Sequence, residues 1–353
     1  MTAPPLSELT TLRLGGPAAR LLSIDSEGAL LDAVLAADAA DEPLLLLAGG
    51  SNVVVADAGF EGTVLRVLTR GVEGLRMADG RIRLNVAAGE TWDAFVAACV
   101  ADGLAGIEAL SGIPGSVGAT PIQNVGAYGQ EVADVIVAVR ALDRESGELH
   151  DLEPEACLFD YRTSVFKRDP GRWVVLGVSF ALEPTGMSEP IRYAELAGRL
   201  RIEVGARAPV DEVRAAVLAL RRGKGMVLDP ADPDTVSAGS FFTNPILRAR
   251  DFEAFAERAA ERLGADARPP GWPTEPRAVK TSAAWLIECA GFRRGYGDPA
   301  GIAISSKHTL ALTNRGAGTT TELVALAREI AAGVDEVFGV ALVPEPVFVG
   351  HRW

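Results

Sequence analysis

The chain has 353 residues, of which 48% are hydrophobic and 23% are charged. This composition is typical of a soluble globular protein with two or three domains. The net charge of −13 disfavours generic binding to nucleic acid or anionic membranes. The longest apolar runs, residues 43–48 and 173–182, are too short or too polar to cross a bilayer, and residues 1–8 do not resemble a secretory signal peptide. We therefore expect a cytoplasmic protein without nucleic-acid or membrane partners.

Hydrophobic periodicity predicts a mixed first half. The ranges, in chain order, are a helix at 27–40, strands at 44–47, 53–56, 63–68 and 82–87, a helix at 91–102 capped by Thr91, and strands at 132–142 and 173–182. Helices and strands do not alternate regularly, so we expect an α+β domain rather than repeated βαβ units.

The second half is predicted to be richer in helix. Residues 190–203 form a transition, and the Pro/Asp-rich residues 228–234 mark a domain boundary. The predicted elements are helices at 206–222, 252–263, 282–290 and 320–332, strands at 309–313 and 340–343, and an exposed proline-rich loop at 265–276.

Cysteine and histidine usage restricts the chemistry. Cys99, Cys157 and Cys289 lie far apart in apolar segments, which predicts buried free thiols in a reducing compartment. No Cys/His spacing matches a metal site, so we expect no metal ion. Because the chain has only three histidines, a His-dependent catalytic triad is poorly supplied.

Residues 113–129 form the most unusual segment of the chain. It combines glycines and prolines with small or uncharged residues and contains no charge. Glycine and proline break a regular helix repeatedly, whereas glycine lets a backbone approach a ligand closely. Backbone N–H groups in such a segment can face phosphate or ring atoms. The segment therefore predicts a cradle for a large, flat, partly anionic cofactor.

A second glycine-rich turn, residues 49–52, lies between two predicted strands. By itself it also fits a plain tight turn, but two glycine-rich loops can grip one diphosphate. Neither loop has the Gly-Lys-Ser/Thr of a Walker motif, and neither opens a helix with Gly-x-Gly-x-x-Gly. We therefore expect the cofactor to be held outside a Rossmann domain.

Five segments together resemble the UDP-N-acetylmuramate dehydrogenase family, also called UDP-N-acetylenolpyruvoylglucosamine reductase. They are residues 48–52, 113–129, 161–167, 238–245 and 344–346, and in this order they cover nearly the whole chain. The resemblance implies an NADPH-dependent flavoenzyme that reduces UDP-N-acetylglucosamine enolpyruvate to UDP-N-acetylmuramate through bound FAD. It further implies a role in peptidoglycan synthesis, and so in cell-wall biogenesis, cell shape and cell division.

The resemblance also implies a fold. We expect an α+β architecture, with a two-subdomain FAD-binding domain of the vanillyl-alcohol-oxidase/PCMH type followed by a smaller α+β substrate-binding domain. The expected limits are 1–68 and 69–225 for the FAD-binding subdomains, 226–335 for the UDP-sugar domain, and 336–353 for a C-terminal segment returning to the FAD site. A monomer is expected.

Three matched positions carry the implied chemistry. Arg162 would hold the substrate carboxylate, because a guanidinium binds a carboxylate bidentately and keeps its proton. Ser240 would protonate the carbanion-like carbon left by hydride transfer, and Glu345, between two prolines, would help to stabilise the enolate-like intermediate. Without the resemblance, an ion pair, a backbone-capping hydroxyl and a surface carboxylate remain equally open for these positions.

The same match assigns the ligand contacts. FAD would contact Gly49, Gly50, Ser51, Asn52, Ile113, Pro114, Gly115, Gly118, Ala119, Thr120, Gln123, Asn124, Gly126, Ala127, Tyr128 and Arg221. The UDP-sugar would contact Tyr193, Lys224, Asn244 and Lys280. The basic run at 221–224 also fits a solvated helix C-terminus, and His308 is expected to be structural.

One departure and three other functions are weighed against this interpretation. Family members often carry a basic residue two positions after the catalytic glutamate, where this chain has Val347, so one flavin or nicotinamide contact is in doubt. The alternatives are another FAD oxidoreductase of the same fold, a flavin or nucleotide-sugar binding protein without turnover, and an acidic adaptor. Flavin absorbance and substrate-dependent NADPH oxidation separate them.

Overall fold

The structure is a computed structural model that describes residues 4–274 and 277–353. The strands are β1 (Ala18–Ile24), β2 (Leu44–Leu47), β3 (Val53–Val55), β4 (Phe60–Val67), β5 (Val72–Arg76), β6 (Ile82–Ala87), β7 (Gly126–Ala127), β8 (Gln130–Glu131), β9 (Ile136–Asp143), β10 (Glu148–Leu152), β11 (Trp173–Leu182), β12 (Ser237–Ser240), β13 (Ile246–Arg248), β14 (Gly271–Pro273), β15 (Ala278–Thr281), β16 (Ile302–Ile304), β17 (Ala311–Asn314) and β18 (Val347–Val349).

The helices are concentrated in the second half of the chain, as expected. They are α1 (Glu27–Ala39), α2 (Trp92–Ala101), α3 (Pro154–Cys157), α4 (Val165–Arg168), α5 (Ala194–Leu200), α6 (Val210–Gly223), α7 (Ala249–Leu263), α8 (Ala283–Cys289) and α9 (Thr320–Phe338). In the described part of the chain, none of these helices combines the length and apolar character needed to span a lipid bilayer.

The described residues form two compact units. The first contains Pro4, Ala18–Gly50 and Phe60–Val227, and the second contains Pro5–Pro17, Ser51–Gly59 and Leu228–Trp353. The second unit thus recruits two N-terminal segments, which the sequence analysis did not anticipate. The four-part division expected from the sequence stays a prediction.

The first unit contains two main sheets. Strands β1, β4 and β2 pair in parallel in that order, and the apolar face of α1 contributes Leu30 and Val34 to the adjoining core. Strands β10, β9, β11, β6 and β5 form an antiparallel sheet. The core beside this sheet includes Trp92 and Phe95 of α2, whose rings lie 5.9 and 5.4 Å from that of Phe180 on β11. Aromatic contacts at this spacing add to the free energy of burial.

The second unit is built around α9, which buries Leu323, Ile330 and Phe338 in its core. Strands β12, β17 and β16 form one sheet, and β13, β15 and β14 form another. The N-terminus of α9 is closed by a capping box between Thr319 and Glu322. Asp57 also accepts the backbone N–H groups of Thr320 and Thr321, at 2.7 and 2.9 Å, so the segment 51–59 is tied to this helix.

Several predicted elements differ from the observed ones. The strand predicted at 340–343 is wrong, because the C-terminal strand is β18, which pairs in parallel with β3. The strand predicted from residue 132 begins only at Ile136, since Glu131 and Asp134 form a capping box around a 3₁₀ turn. The loop predicted at 265–276 contains β14, and its residues 275–276 lie outside the described residues.

Helix ends were predicted less well than helix positions. The helix predicted at 206–222 begins at Val210, after Pro209, and the one predicted at 320–332 continues to Phe338, where Gly339 adopts a left-handed conformation. Thr91 is the N-cap of α2 as predicted, although its side chain makes no capping hydrogen bond. Such end effects depend on local contacts that periodicity does not contain.

Candidate functional site

The two glycine-rich loops meet within the first unit. A Cβ atom at Gly49 would lie 2.5 Å from the Cα and 2.8 Å from the carbonyl carbon of Gly115. Side-chain carbons do not approach backbone atoms this closely, so the contact requires glycine at position 49. Gly115 has a φ of +124°, a conformation that side chains rarely allow. The structure therefore brings together the two loops that the sequence singled out.

The middle of the cradle is packed against the end of β6. A Cβ atom at Gly118 would lie 2.5 Å from the Cβ of Ala88, and the Gly118 N–H donates to the Ala88 carbonyl at 2.9 Å. Residues Val117–Ala119 form a 3₁₀ turn, and the Thr120 hydroxyl donates to the Val117 carbonyl at 2.8 Å. The cradle is thus an ordered, glycine-dependent turn rather than a flexible loop.

Ser116 is a cradle residue that the sequence analysis did not assign to the cofactor. It is only 4% exposed, and its Oγ is one of the few buried side-chain polar atoms in the described residues without a hydrogen-bond partner. Leaving such a group unpaired costs about 1–3 kcal/mol, so a ligand atom is its natural partner. The available sequence signal was a small hydroxyl residue between two glycines of the run.

The far end of the cradle is held by Asn124, which is 1% exposed and has a φ of +47°. Its Nδ2 donates to Glu131 Oε2 at 2.7 Å and to the Asp160 carbonyl at 3.2 Å, while its Oδ1 accepts the Ala133 N–H at 3.1 Å. These bonds connect the cradle to the residues before Arg162. The side chain of Asn124 therefore shapes the cradle from within.

Arg162 lies against the carbonyl groups of the cradle. Its Nη2 donates to the Gly126 carbonyl at 2.7 Å and its Nη1 donates to the Asn124 carbonyl at 3.4 Å. Its backbone has a φ of +54°, and the Lys167 ammonium donates to its carbonyl at 3.0 Å. A non-glycine residue in this conformation is held by its surroundings, a feature that occurs often at functional sites.

The entrance to the cradle is fixed by an ion pair that sequence reasoning missed. Asp93 on α2 accepts the Gly112 N–H at 2.6 Å and binds both Nη atoms of Arg214 on α6, at 2.7 and 3.1 Å. Burial alone would raise the pKa of Asp93, but the hydrogen bonds from Arg214 and Gly112 outweigh it and hold the pKa below its usual value. Asp93 therefore stays ionised and fixes Gly112.

Arg221, predicted to contact FAD, lies on the same helix as Arg214. Its Nη2 donates to the Met226 carbonyl at 2.8 Å and, at 3.4 Å, to the Gly112 carbonyl. Its Nε is buried and lacks a partner, and burial lowers the pKa of its guanidinium, which still stays charged at neutral pH. Arg221 thus offers a positive group and an unused donor beside the cradle.

Tyr128, Tyr193 and Lys224 come together at the end of the cradle. The two tyrosine rings meet edge to face with centroids 5.4 Å apart, and the Lys224 ammonium lies 5.8 Å from the Tyr128 ring centroid. Burial raises the pKa of Tyr128 to about 12, so its phenol stays protonated at neutral pH. Lys224 is the C-cap of α6, and Tyr193 is the N-cap of α5.

In the second unit, Ser240 ends β12 at an irregular point of the sheet. The register with β17 shifts between Ser237 and Ser240, and Gly239 between them has a φ of +74°. A bulge of this kind re-aims the side chain that follows it. Ser240 is half-buried, and Phe241 beside it is 1% exposed.

The segments carrying Ser240 and Glu345 run side by side. The Glu345 N–H donates to the Phe241 carbonyl at 2.8 Å, and Phe242 pairs with Pro344 as an antiparallel bridge. Asn52 joins the same arrangement, since its Nδ2 donates to the Glu345 carbonyl at 3.4 Å and its carbonyl accepts the Val347 N–H at 3.0 Å. The second unit therefore aligns three of the sequence-predicted site residues.

The remaining predicted residues of the second unit lie on nearby elements. Asn244 Oδ1 accepts the Ala283 N–H at 3.0 Å, at the start of α8. Lys280 is on β15, paired with Ile246 and Trp272 on the flanking strands. Trp272 and Ile246 are 49% and 47% exposed, so this face presents apolar groups around a lysine.

A buried acid that sequence reasoning missed anchors β12. Asp234, just before this strand, accepts the Ser306 N–H and hydroxyl at 2.8 and 2.6 Å and pairs with Arg315 at 2.7 Å. Burial alone would raise the pKa of Asp234, but these hydrogen bonds and the Arg315 charge hold it below its usual value. Acidic residues in the Pro/Asp-rich run had suggested only a loop.

The cysteines and the acidic residues offer no other obvious chemistry. Cys99 and Cys157 are buried free thiols, as predicted, and burial raises the pKa of each to about 12, whereas Cys289 is only partly buried. Within residues 4–274 and 277–353, no cluster of three or more His, Cys, Asp or Glu side chains could hold a metal ion.

The cradle fits a flat cofactor with a diphosphate. The close contact of Gly49 with Gly115 requires bare backbone, and Ser116 Oγ and Arg221 Nε are unpaired donors in the same unit. Backbone N–H groups, a hydroxyl and a guanidinium are the groups that bind phosphate in proteins.

Comparison with known protein families gives two matches. Residues 230–349 match the family described as "UDP-N-acetylenolpyruvoylglucosamine reductase, C-terminal domain". Residues 18–153 match the family described as "FAD binding domain". Together these confirm the predicted fold class, an FAD-binding domain followed by a smaller α+β domain.

Two curated relatives are similar over nearly the whole chain, and both are named UDP-N-acetylenolpyruvoylglucosamine reductase. The protein from Thermobifida fusca is 56% identical over 347 residues, covering 98% of this chain and 97% of the relative. The protein from Streptomyces coelicolor is 58% identical over 348 residues, covering 98% and 89%. The crystal structure of the enzyme of that name from Thermus caldophilus has a TM-score of 0.65 at 24% identity, covering 98% and 97%, and supports the fold.

Proposed function

Since this chain belongs to the UDP-N-acetylenolpyruvoylglucosamine reductase family, we propose that it reduces UDP-N-acetylglucosamine enolpyruvate to UDP-N-acetylmuramate with electrons from NADPH. It is an FAD-dependent oxidoreductase of peptidoglycan synthesis. The bound FAD supplies the hydride chemistry, taking hydride from NADPH and delivering it to the enolpyruvyl group. The residues of the chain supply position, charge and a proton.

One observation carries this proposal beyond a simple flavin-binding protein. Ser240 and Glu345 lie on two neighbouring segments, joined by the hydrogen bond from Glu345 N–H to the Phe241 carbonyl and by the Phe242–Pro344 bridge. A protein that only stored flavin or nucleotide-sugar would not need a serine and a glutamate aligned in this way. The arrangement supports a reaction that ends in protonation.

We assign a separate role to each of the three candidate catalytic residues. Arg162 binds the substrate carboxylate and stabilises the negative charge that builds on it. Ser240 donates its hydroxyl proton to the carbanion-like carbon, and a hydroxyl is acidic enough for so strong a base. Glu345 assists the enolate-like intermediate.

The ligand assignments follow from the two units taken separately. In the first unit, the cradle residues of 113–128 with Gly49, Gly50 and Arg221 contact FAD, and Tyr193 and Lys224 contact the UDP-sugar. In the second unit, Ser51 and Asn52 contact FAD, and Asn244 and Lys280 contact the UDP-sugar. To the cradle list we add Ser116, whose unpaired hydroxyl is suited to a cofactor oxygen.

The test of the function is a pair of half-reactions. Purified protein should absorb as a flavoprotein, and NADPH oxidation should depend on UDP-N-acetylglucosamine enolpyruvate. In Ser240→Ala, NADPH should still bleach the flavin, while reoxidation by the substrate should slow by about 10²–10⁴-fold, the usual contribution of a positioned proton donor. Loss of both half-reactions to the same degree would reject Ser240 as the donor.

Ser237→Ala is the matched control, because it removes a hydroxyl from the same strand. Ser237 Oγ accepts the Gly239 N–H at 3.2 Å, so its loss affects the bulge and not a proton transfer. The ratio of the two half-reaction rates should therefore stay at the wild-type value. A flavoprotein that oxidises NADPH without any dependence on the enolpyruvyl sugar would contradict the proposed function.

We further propose that the enzyme works as a cytoplasmic monomer whose partner is its small-molecule substrate, without nucleic-acid or membrane partners. The acidic composition supports this view, since a net charge of −13 opposes binding to polyanions. Light scattering of the FAD-loaded protein should give the mass of a single 36.9 kDa chain plus cofactor. A dimer mass at micromolar concentration would contradict the monomer.

A further inference from the structure

The candidate diphosphate-binding lysine already holds an anion in this structure. Lys224 Nζ donates to Glu195 Oε2 at 2.7 Å. Glu195 lies in the first turn of α5, two residues after Tyr193, and Lys224 closes the C-terminus of α6. The ammonium thus lies between a carboxylate and the Tyr128 ring, whose centroid is 5.8 Å away. All four side chains belong to the first unit.

A carboxylate oxygen on an ammonium has the same chemistry as a phosphate oxygen. Both are anionic acceptors of a charge-assisted hydrogen bond, but a diphosphate carries more charge and more acceptor oxygens. The Lys224 and Glu195 side chains are 30% and 41% exposed, so solvent screens their attraction. An anion with greater charge can therefore replace Glu195 at little cost.

We propose that Glu195 occupies the phosphate position on Lys224 in the absence of substrate and is displaced when the diphosphate of the UDP-sugar binds. This inference rests on the proposed function, because it takes Lys224 as a diphosphate contact. Glu195 acts through Lys224 and is a positioning residue: it keeps the ammonium beside Tyr128 and lowers the apparent affinity for the diphosphate by competing for it.

The helices around this pair can tolerate the exchange. Helices α5 and α6 pack through a shared apolar cluster that includes Leu196, Val213 and Val217, each fully buried. Burial of these side chains holds the two helices together whether or not the ion pair is formed. Breaking the pair therefore frees the Glu195 side chain without separating the helices.

The proposal predicts tighter diphosphate binding when the competitor is removed. An exposed ion pair contributes up to about 1 kcal/mol, which corresponds to a two- to five-fold change in affinity. In Glu195→Gln, the Kd of the FAD-loaded protein for UDP, measured by calorimetry, should fall by this factor. The KM for the enolpyruvyl sugar should fall in parallel.

Two further variants separate competition for Lys224 from a general change of charge. Glu189→Gln removes an acid from the same unit, one that pairs with Arg207 at 3.2 Å, and should leave the Kd for UDP unchanged. In a Lys224→Ala background, Glu195→Gln should have no effect on that Kd, because the shared partner is gone. An unchanged or higher Kd in Glu195→Gln, an equal fall in Glu189→Gln, or a fall that persists without Lys224 overturns the proposal.

The outcome for Glu195 is independent of the outcome for the function. If the wild-type enzyme turns over the enolpyruvyl sugar and Glu195→Gln binds UDP no better, only the displacement of Glu195 is rejected. If the wild-type enzyme fails to turn over that substrate, the proposed function is rejected whatever the variants show.

Discussion

The glycine cradle of the first unit and the paired segments of the second unit are built in opposite ways. In the cradle, Gly49 lies against Gly115 because neither has a side chain, and the contact is made of backbone alone. In the second unit, Ser240 and Glu345 are more than a hundred residues apart in the chain and are aligned by cross-strand bonds and a buried ion pair. The cofactor seat therefore depends on what its residues lack, and the proton-donor side depends on what distant residues supply.

The largest expected effect comes from adding one carbon to the cradle. In Gly49→Ala, the new Cβ would lie 2.5 Å from the Gly115 Cα, and backbone cannot move aside as a flexible side chain could. Overpacking of this kind costs about 1–3 kcal/mol or more, so we expect FAD affinity to fall at least tenfold. Flavin absorbance per protein after purification and a titration with FAD measure it.

Gly28→Ala is the control for this substitution. Gly28 lies in α1, no atom lies within 4 Å of a Cβ built there, and alanine is the better helix former. The control should keep its flavin and its stability. Retention of wild-type FAD affinity in Gly49→Ala would show that the two loops have room to separate, against the structure.

The next effect tests the side-chain anchoring of the second unit. Asp234→Asn keeps the shape of the residue but leaves Arg315 without its charge partner in a largely buried position. Removing one partner of a buried pair costs about 3–5 kcal/mol, and the retained amide contacts should reduce the loss to about 2–4 kcal/mol. Urea unfolding of the FAD-loaded protein at neutral pH gives the free energy of unfolding.

The pH dependence has a definite sign. Because the pKa of Asp234 is lower in the folded protein than the unfolded value of about 3.9, the wild type is stabilised above that pH and loses this stability as pH falls through the folded pKa. Asparagine does not titrate, so the deficit of the variant should be largest at neutral pH and should shrink below about pH 4. Asp251→Asn, at an exposed pair with Arg250, should match the wild type. A deficit independent of pH would contradict the ionised anchor.

The sequence allowed prediction of much of the fold because many elements carry their pattern locally. Strands such as Ile82–Ala87 and Trp173–Leu182 were predicted with their observed limits, since alternation and apolar runs are properties of neighbouring residues. The cradle was predicted for the same reason. The recruitment of residues 51–59 to the second unit was not, because it depends on Asp57 capping a helix that begins at Thr320.

The site was predictable only in part, for the same physical reason. The catalytic candidates came from resemblance to a family, and nothing local distinguishes Ser240 or Glu345 from a surface hydroxyl or acid. Ser116, Asp93 and Glu195 were missed because their importance lies in partners, or a missing partner, that only the folded chain reveals. Single-residue chemistry suggested what the site needs, and long-range contacts decide which side chains supply it.

The smallest expected effect concerns Trp353, which supports the paired segments from one side. Its ring lies 5.9 Å from that of Phe242 and 6.0 Å from that of Phe348, although the residue is 44% exposed. Trp353→Ala should lower the free energy of unfolding by about 1 kcal/mol, the value of such ring pairs. Because Phe242 lies two residues after Ser240, reoxidation of the flavin by substrate should also slow a few-fold. Trp353→Phe, which restores a ring, should recover both quantities, and a loss unaffected by phenylalanine would mean that ring packing does not hold this side of the segment.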